Sequence, residues 1–227
     1  MIVDLSHEIV AGMSTYPGLA GPRLEVTISR DESAARLGSG ASFEIDSLTL
    51  VGNTGTYLDS PYHFHQEGAD LGQLPVERLV NVPITMVRAV GQTAVTAVDL
   101  GDPGQLWGQA VLVHTGWARH WGSARYLEFD CPYLTADAVG ALIDANVALV
   151  GIDSLNIDNP NDMRRPAHNG LLGAGIPIVE HLTNLDAVPD DGARLIALPA
   201  PVRGMASFPV RAVAVHDGAR FDDNRSP

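Results

Sequence analysis

Cysteine is almost missing from this chain: Cys131 is the only one in 227 residues. A lone thiol excludes an internal disulfide and a Cys-based zinc site. Its Asp-Cys-Pro context has no adjacent histidine, so Cys131 reads as a buried or incidental thiol, not a nucleophile. Positive charge is also scarce, with 14 basic against 27 acidic residues and a formal net charge of −13. An acidic surface repels phosphate backbones and anionic lipid, which argues against nucleic-acid and membrane partners. No apolar run approaches the ~20 residues of a membrane span. Met1 to His7 lacks the basic start and apolar run of a signal peptide. The expected location is the cytoplasm. No Gly-rich phosphate-binding motif follows a strand-like run, so nucleotide binding has no support.

What is present is globular composition, 45% hydrophobic and 18% charged. The length suits one domain, expected over 1–216, with a polar C-terminal tail at 217–227. Short strand-type runs dominate: Ile2 to Leu5, Leu24 to Ser29, Ser42 to Leu50, Pro83 to Val90, Ala110 to Thr115, Ala148 to Ile152, Ile176 to Glu180, Arg194 to Pro199 and Val210 to Val215. Met13 to Pro22 is Gly- and Pro-rich and reads as a loop. Thr135 to Asn146 is the clearest helix, with Thr135 as N-cap and Ala138, Leu142 and Ala145 on one face. Pro75 to Leu79 and His168 to Gly173 suggest short helical pieces. Asn156 to Arg165, with its Asn-Pro-Asn-Asp run, reads as mobile. The expected fold class is α/β: a β-rich domain with a mixed sheet or barrel-like core and few flanking helices.

Two clusters carry chemistry. In the first, Asp59, His63 and His65 differ by even steps, which in an extended segment would put them on one side, with Pro61 fixing the chain between them. An Asp and a His held together can ligate a divalent metal or form an acid–base pair. In the second, His168 opens a helical turn and Glu180 ends an apolar strand. A carboxylate there is costly without a cation or donor partner. His7 reads as a cap near the first strand; His114, His120 and His216 read as structural. Of the tryptophans, at least two of Trp107, Trp117 and Trp121 are expected in the core.

The chain resembles the cyclase family, whose best-known members are bacterial kynurenine formamidases and isatin hydrolases. The family pattern H-x-G-T-H-x-D-x-P-x-H-F is met here by Asn53, Gly55, Thr56, Tyr57, Asp59, Pro61, His63 and Phe64. Further matching stretches run in order from Asp4-Leu-Ser-His7 and Tyr16-Pro-Gly18 to Glu180-x-Leu-x-Asn-Leu185 and Pro209-Val-Arg-Ala212. The resemblance implies a one- or two-metal site, usually zinc or manganese, at which water attacks an amide or lactam carbonyl. It places Asp59, His168 and Glu180 as metal ligands, His63 as the proton-shuttling acid–base, and Tyr16 against the substrate. It also suggests a homodimer or homotetramer.

Two departures change that picture. Asn53 and Tyr57 stand where the family has two histidine ligands, and neither is a good ligand for zinc. At most one Zn2+ or Mn2+ is expected, with a metal-free site as the alternative. Asn53 and Tyr57 then become candidate donors to a substrate oxyanion beside His63. The leading expectation is a hydrolase of the kynurenine-formamidase type, linked to tryptophan catabolism, acting on a small aryl or cyclic amide. Its rivals are a metal-independent cyclase, lyase or isomerase using Tyr57 and His63, and a silent small-molecule-binding homologue.

Overall fold

The computed structural model describes residues 1–38 and 40–216, so the polar tail expected at 217–227 lies outside the described residues. In chain order the elements are β1 (Ile2–Asp4), β2 (Arg23–Ile28), α1 (Arg30–Leu37), β3 (Ile45–Thr49), β4 (Tyr57–Asp59), β5 (Val80–Arg88), β6 (Ala94–Val95), β7 (Ala110–His114) and β8 (Tyr133–Leu134). They continue with α2 (Ala136–Asp144), β9 (Leu149–Ile152), α3 (Pro166–Gly173), β10 (Ile178–Glu180), β11 (Ala193–Ile196), β12 (Ser207–Pro209) and β13 (Val213–His216). Nine strands form one curled sheet in the order β1-β13-β11-β5-β7-β9-β10-β4-β12. Strands β5, β7, β9 and β10 run parallel, and the flanking strands pair antiparallel. This is the expected β-rich α/β class with a mixed sheet.

The sheet divides the core in two because alternate side chains face opposite ways. Leu58, Leu112, Leu149, Val179 and Leu195 join one apolar cluster. Val111, Val113, Val150, Ile152 and Ile178 join the other, together with Ala138 and Leu142 of α2 and Leu171 and Leu172 of α3. Of the parallel strands, β7, β9 and β10 are almost wholly buried, and the near-continuous apolar runs of β7 and β9 reflect cover on both faces. No helix among the described residues is long and apolar enough to cross a membrane.

Several local expectations change. Strand β5 starts at Val80, because Val80 and Val82 pair with β11 before Pro83 is reached. Helix α1 has no apolar periodicity to reveal it; it is fixed at its ends, by a capping box between Ser29 and Glu32 and by Gly38 in the left-handed region. Thr135 does sit at the start of α2, but its hydroxyl donates to the Val95 carbonyl (3.0 Å) instead of capping the helix. The segment 156–165 reads as mobile in sequence, yet Asn156, Ile157 and Asp158 are buried and hydrogen-bonded. Cys131 is buried, and that burial pushes its thiol up to about 11. Trp117 is buried and Trp121 packs on the same cluster, while Trp107 is exposed.

Candidate active site

Three strands put the acidic groups on one face. Tyr57 of β4 lies opposite Glu180 of β10, and Asp59 lies opposite Ile178 on one side and Ser207 of β12 on the other. Alternation turns Leu58 into the core and leaves Tyr57 and Asp59 on the side of α3. The approach to β4 is tight. A Cβ on Gly52 would fall 2.3 Å from the Ser207 carbonyl oxygen, and Gly55 sits at φ +66° with Ile9 against it.

Strand β4 ends at Asp59, and Pro61–His63 form a single 3-10 turn. The even-step expectation for 59, 63 and 65 therefore fails. His63 comes back over Asp59 through the turn, with Nε2 4.0 Å from Oδ1. His65 turns away, its Nε2 3.0 Å from the Asn169 carbonyl oxygen.

Asp59 and Glu180 are buried, and a buried carboxylate needs donors or a cation. Asn53 Nδ2 donates to Asp59 Oδ1 (3.2 Å), and the Ser207 hydroxyl donates to the same oxygen. The Tyr57 hydroxyl donates to Glu180 Oε2, and the Ile157 amide donates to Oε1 (2.6 Å). Asn53 and Tyr57 thus place protons on carboxylate oxygens at the positions where the resembled family carries histidines. Of the four oxygens of Asp59 and Glu180, Asp59 Oδ2 is the one left buried without a hydrogen bond.

His168 faces that oxygen. Its Nδ1–H donates to Asp158 Oδ2 (2.7 Å), and Asp158 also accepts from the Ala167 and His168 amides, capping α3. This fixes the ring and directs Nε2 to within 3.7 Å of Asp59 Oδ2 and 3.8 Å of Glu180 Oε1. Those gaps are too long for good hydrogen bonds and within the span one small cation bridges. Ligand atoms of Asp59, His63 and His168 lie within 4.8 Å of one another. A carboxylate-oriented imidazole beside an open carboxylate oxygen is a donor set that fits one divalent ion. Asn53 and Tyr57 both act as hydrogen-bond donors to the Asp59 and Glu180 carboxylates.

The charges are interdependent. Burial raises Glu180 to about 7, partly offset by His168. Burial also opposes ionisation of Asp59, but His168 and His63 outweigh it and hold the carboxyl below its ordinary value. Burial alone would lower His168, yet Asp158, Asp59 and Glu180 together raise it to about 10. Burial lowers His63, with the Asp59 charge opposing, so His63 is a neutral base at pH 7. Burial, then the charges of Glu180 and Asp59, push Tyr57 well above the usual phenol value, so it stays a proton donor.

Tyr16, Asn53, Tyr57, His63, His168 and Glu180 all line one cavity of about 350 Å³, with Asp59 beneath it. The residues expected to bind metal, protons or substrate therefore lie together, while His65 lies away from them. Sequence reading missed four. Asp158 lies ten residues before His168, Ser207 is 148 residues from Asp59, and Asn156 and Arg165 belong to the loop read as mobile. Phe64 was visible in the motif, but only the fold stacks it on His168 (5.0 Å, 19°).

The Cyclase family model matches residues 3–159. Kynurenine formamidase of Bacillus cereus is 29% identical over 215 residues, covering 93% of this chain and 95% of that protein. The kynurenine formamidase of Bacillus thuringiensis (strain Al Hakam) is 30% identical over the same shares. Among solved structures, isatin hydrolase A from Labrenzia aggregata, bound to benzyl benzoate, superposes with a TM-score of 0.82 at 24% identity, over 95% of this chain and 93% of its own. Isatin hydrolase A from Ralstonia solanacearum gives 0.80 at 23%, over 96% and 92%. These superpositions show a shared fold.

Proposed function

The chain belongs to the Cyclase family, and on that premise we propose that it is an amidohydrolase cleaving the C–N bond of a small aryl or cyclic amide, with at most one divalent metal. The observation that carries this reading is the open Asp59 Oδ2 beside His168 Nε2 and His63, at the floor of a cavity with aromatic walls. The kynurenine formamidases and isatin hydrolases among its relatives suit the same bond type.

Asp59 and His168 would hold a Zn2+ or Mn2+, with Glu180 or His63 adjacent. Such an ion, when bound, polarises a carbonyl and lowers the pKa of water. The chain's own groups handle the proton. His63, neutral at pH 7, takes one from water and returns it to the leaving nitrogen. Ser207 Oγ lies 3.4 Å from His63 Nδ1 and steadies the ring. Asn53 lines the cavity with a second amide proton for developing negative charge, while Tyr57 keeps its one proton on Glu180. Tyr16 and Phe64 wall the cavity and suit an aryl group.

A second reading has one observation in its favour: Asn53 and Tyr57 already satisfy one oxygen of each carboxylate. A metal-independent cyclase, lyase or isomerase could use Tyr57 as acid and His63 as base. Protein purified without chelator separates the two. Release of formate from an aryl formamide, abolished by chelator and restored by zinc or manganese, supports the metal hydrolase. Absence of hydrolysis of aryl formamides and isatin-type lactams in the presence of both metals would refute it.

The described residues read as one domain acting in the cytoplasm as a homodimer or homotetramer. Support for assembly comes from the β2–β3 hairpin, on which Leu24 and Leu48 face each other, both exposed. A two-stranded hairpin with no cover is marginal in water, and a second copy would cover it.

A further inference from the structure

We propose that Arg165 is the specificity-determining residue of the cavity and grips a carboxylate carried by the substrate, which makes the preferred substrate an anionic aryl amide. This rests on the amidohydrolase reading for the bond that is cut, but not for the recognition itself.

Arg165 lines the same cavity as His63, His168 and Glu180. Its neighbour Arg164 takes the local acid: Arg164 Nε and Nη2 donate to the two oxygens of Asp162 at 2.9 and 2.8 Å. Arg165 has no carboxylate within ion-pair distance among the described residues. Its two hydrogen bonds are long and go to neutral acceptors, Nη1 to Asn156 Oδ1 at 3.4 Å and Nη2 to the Pro160 carbonyl at 3.3 Å. A guanidinium has five N–H donors in a flat fork that fits a carboxylate two-pronged. In a protein of net charge −13, a half-buried guanidinium facing a cavity without an acid partner is conspicuous.

The backbone holds it there against its own preference. Arg165 sits at φ 49°, ψ 58°, in the left-handed region and immediately before Pro166, a conformation that costs a non-glycine residue and recurs at ligand sites. Asp158 already caps the first amides of α3, so the positive group presented to the cavity is the side chain, not the helix end. The buried carboxylates take their compensation from His168 and from hydrogen-bond donors, which leaves the Arg165 charge uncommitted. Tyr16, Leu19 and Phe64 supply the apolar wall for the ring that carries the anion.

The test uses two probes that differ only in the carboxylate, 2-formamidobenzoate and formanilide. In each, water's hydroxyl goes to the formyl carbon and its proton to the nitrogen, giving formate and the free amine. Wild type should show the lower KM for 2-formamidobenzoate. Arg165→Gln should raise that KM by about tenfold to a hundredfold, the range for a hydrogen bond to a charged group, leaving kcat and the formanilide KM within about twofold. Arg165→Lys, which keeps the charge but not the fork, should fall between. Equal effects on both probes, or none, would overturn the proposal. Wild-type turnover of neither probe would count against the amidohydrolase reading alone. Titration calorimetry with 2-aminobenzoate and aniline then decides Arg165 by itself: tighter binding of the acid, lost in Arg165→Gln and partly kept in Arg165→Lys, upholds it. Equal binding of the two by wild type sinks it.

Discussion

Tyr57 and Glu180 lie directly opposite each other on antiparallel strands, and the phenol donates its proton to the carboxylate. A histidine in the place of Tyr57 would offer a lone pair to a cation; the phenol supplies a proton to the anion. With Asn53 doing the same for Asp59, two of the four carboxylate oxygens accept from these side chains. The double variant Asn53→His, Tyr57→His should therefore bind one more equivalent of zinc or manganese than wild type, measured by elemental analysis after gel filtration. An unchanged metal content would mean that the pocket has been rebuilt beyond these two positions.

His63 is the only base in the cavity that is both neutral and solvent-accessible at pH 7 among the residues singled out. Replacing it with Ala should lower kcat by about 10²- to 10⁴-fold, with substrate binding by calorimetry little changed. Full activity in the variant would remove His63 from the mechanism, and activity absent from wild type as well would favour a silent binding role.

Asp158 orients His168 and caps α3 at once. Asp158→Asn keeps one acceptor oxygen, so it cannot serve both the Ala167 amide and the His168 donors. It should cost about 10- to 100-fold in metal affinity and about 1–3 kcal/mol in stability, by competition with a chromogenic chelator and by calorimetric melting.

His7 stacks flat on Trp121 at 3.8 Å, and burial followed by the His181 charge lowers it to about 4. His181, fully buried, is also lowered to about 4, chiefly by burial. In the unfolded chain both titrate near 6.5, so between pH 6.5 and 4 the unfolded state binds more protons than the folded state. Stability therefore falls as pH falls through that window, by up to about 1.4 kcal/mol per pH unit for each histidine that stays neutral. His7 contributes less because it keeps some solvent. His7→Phe should flatten the slope of melting temperature against pH; an unaltered slope would assign the loss elsewhere.

The β2–β3 hairpin leaves Leu24, Val26, Ile45 and Leu48 exposed. Leu24→Glu with Leu48→Glu should reduce the sedimentation mass to that of a single chain, with the far-UV spectrum kept. A wild type that already sediments as one chain would exclude the hairpin as an assembly surface.

The sequence by itself determined the family, the fold class and the identity of the chemical groups. Near-continuous apolar runs such as Ala110–His114 mark buried strands because both faces of the sheet are covered, and Asp59, Pro61 and His63 carry the motif in a single stretch. The sequence also shows Asn53 and Tyr57 where the resembled pattern has histidines. Only the tertiary structure decided what those residues do. Pro61 ends β4 and coils the chain, so His63 meets Asp59 through a turn while His65 leaves the site, which strand spacing could not foresee. Ser207, Asp158 and Arg165 act across sequence gaps or from a loop whose composition reads as mobile. Their roles come from strand pairing, from the cap of α3 and from competition with Arg164 for Asp162. Burial sets the proton balance of the site, because a carboxylate or imidazole changes its affinity for a proton only when the fold removes its water.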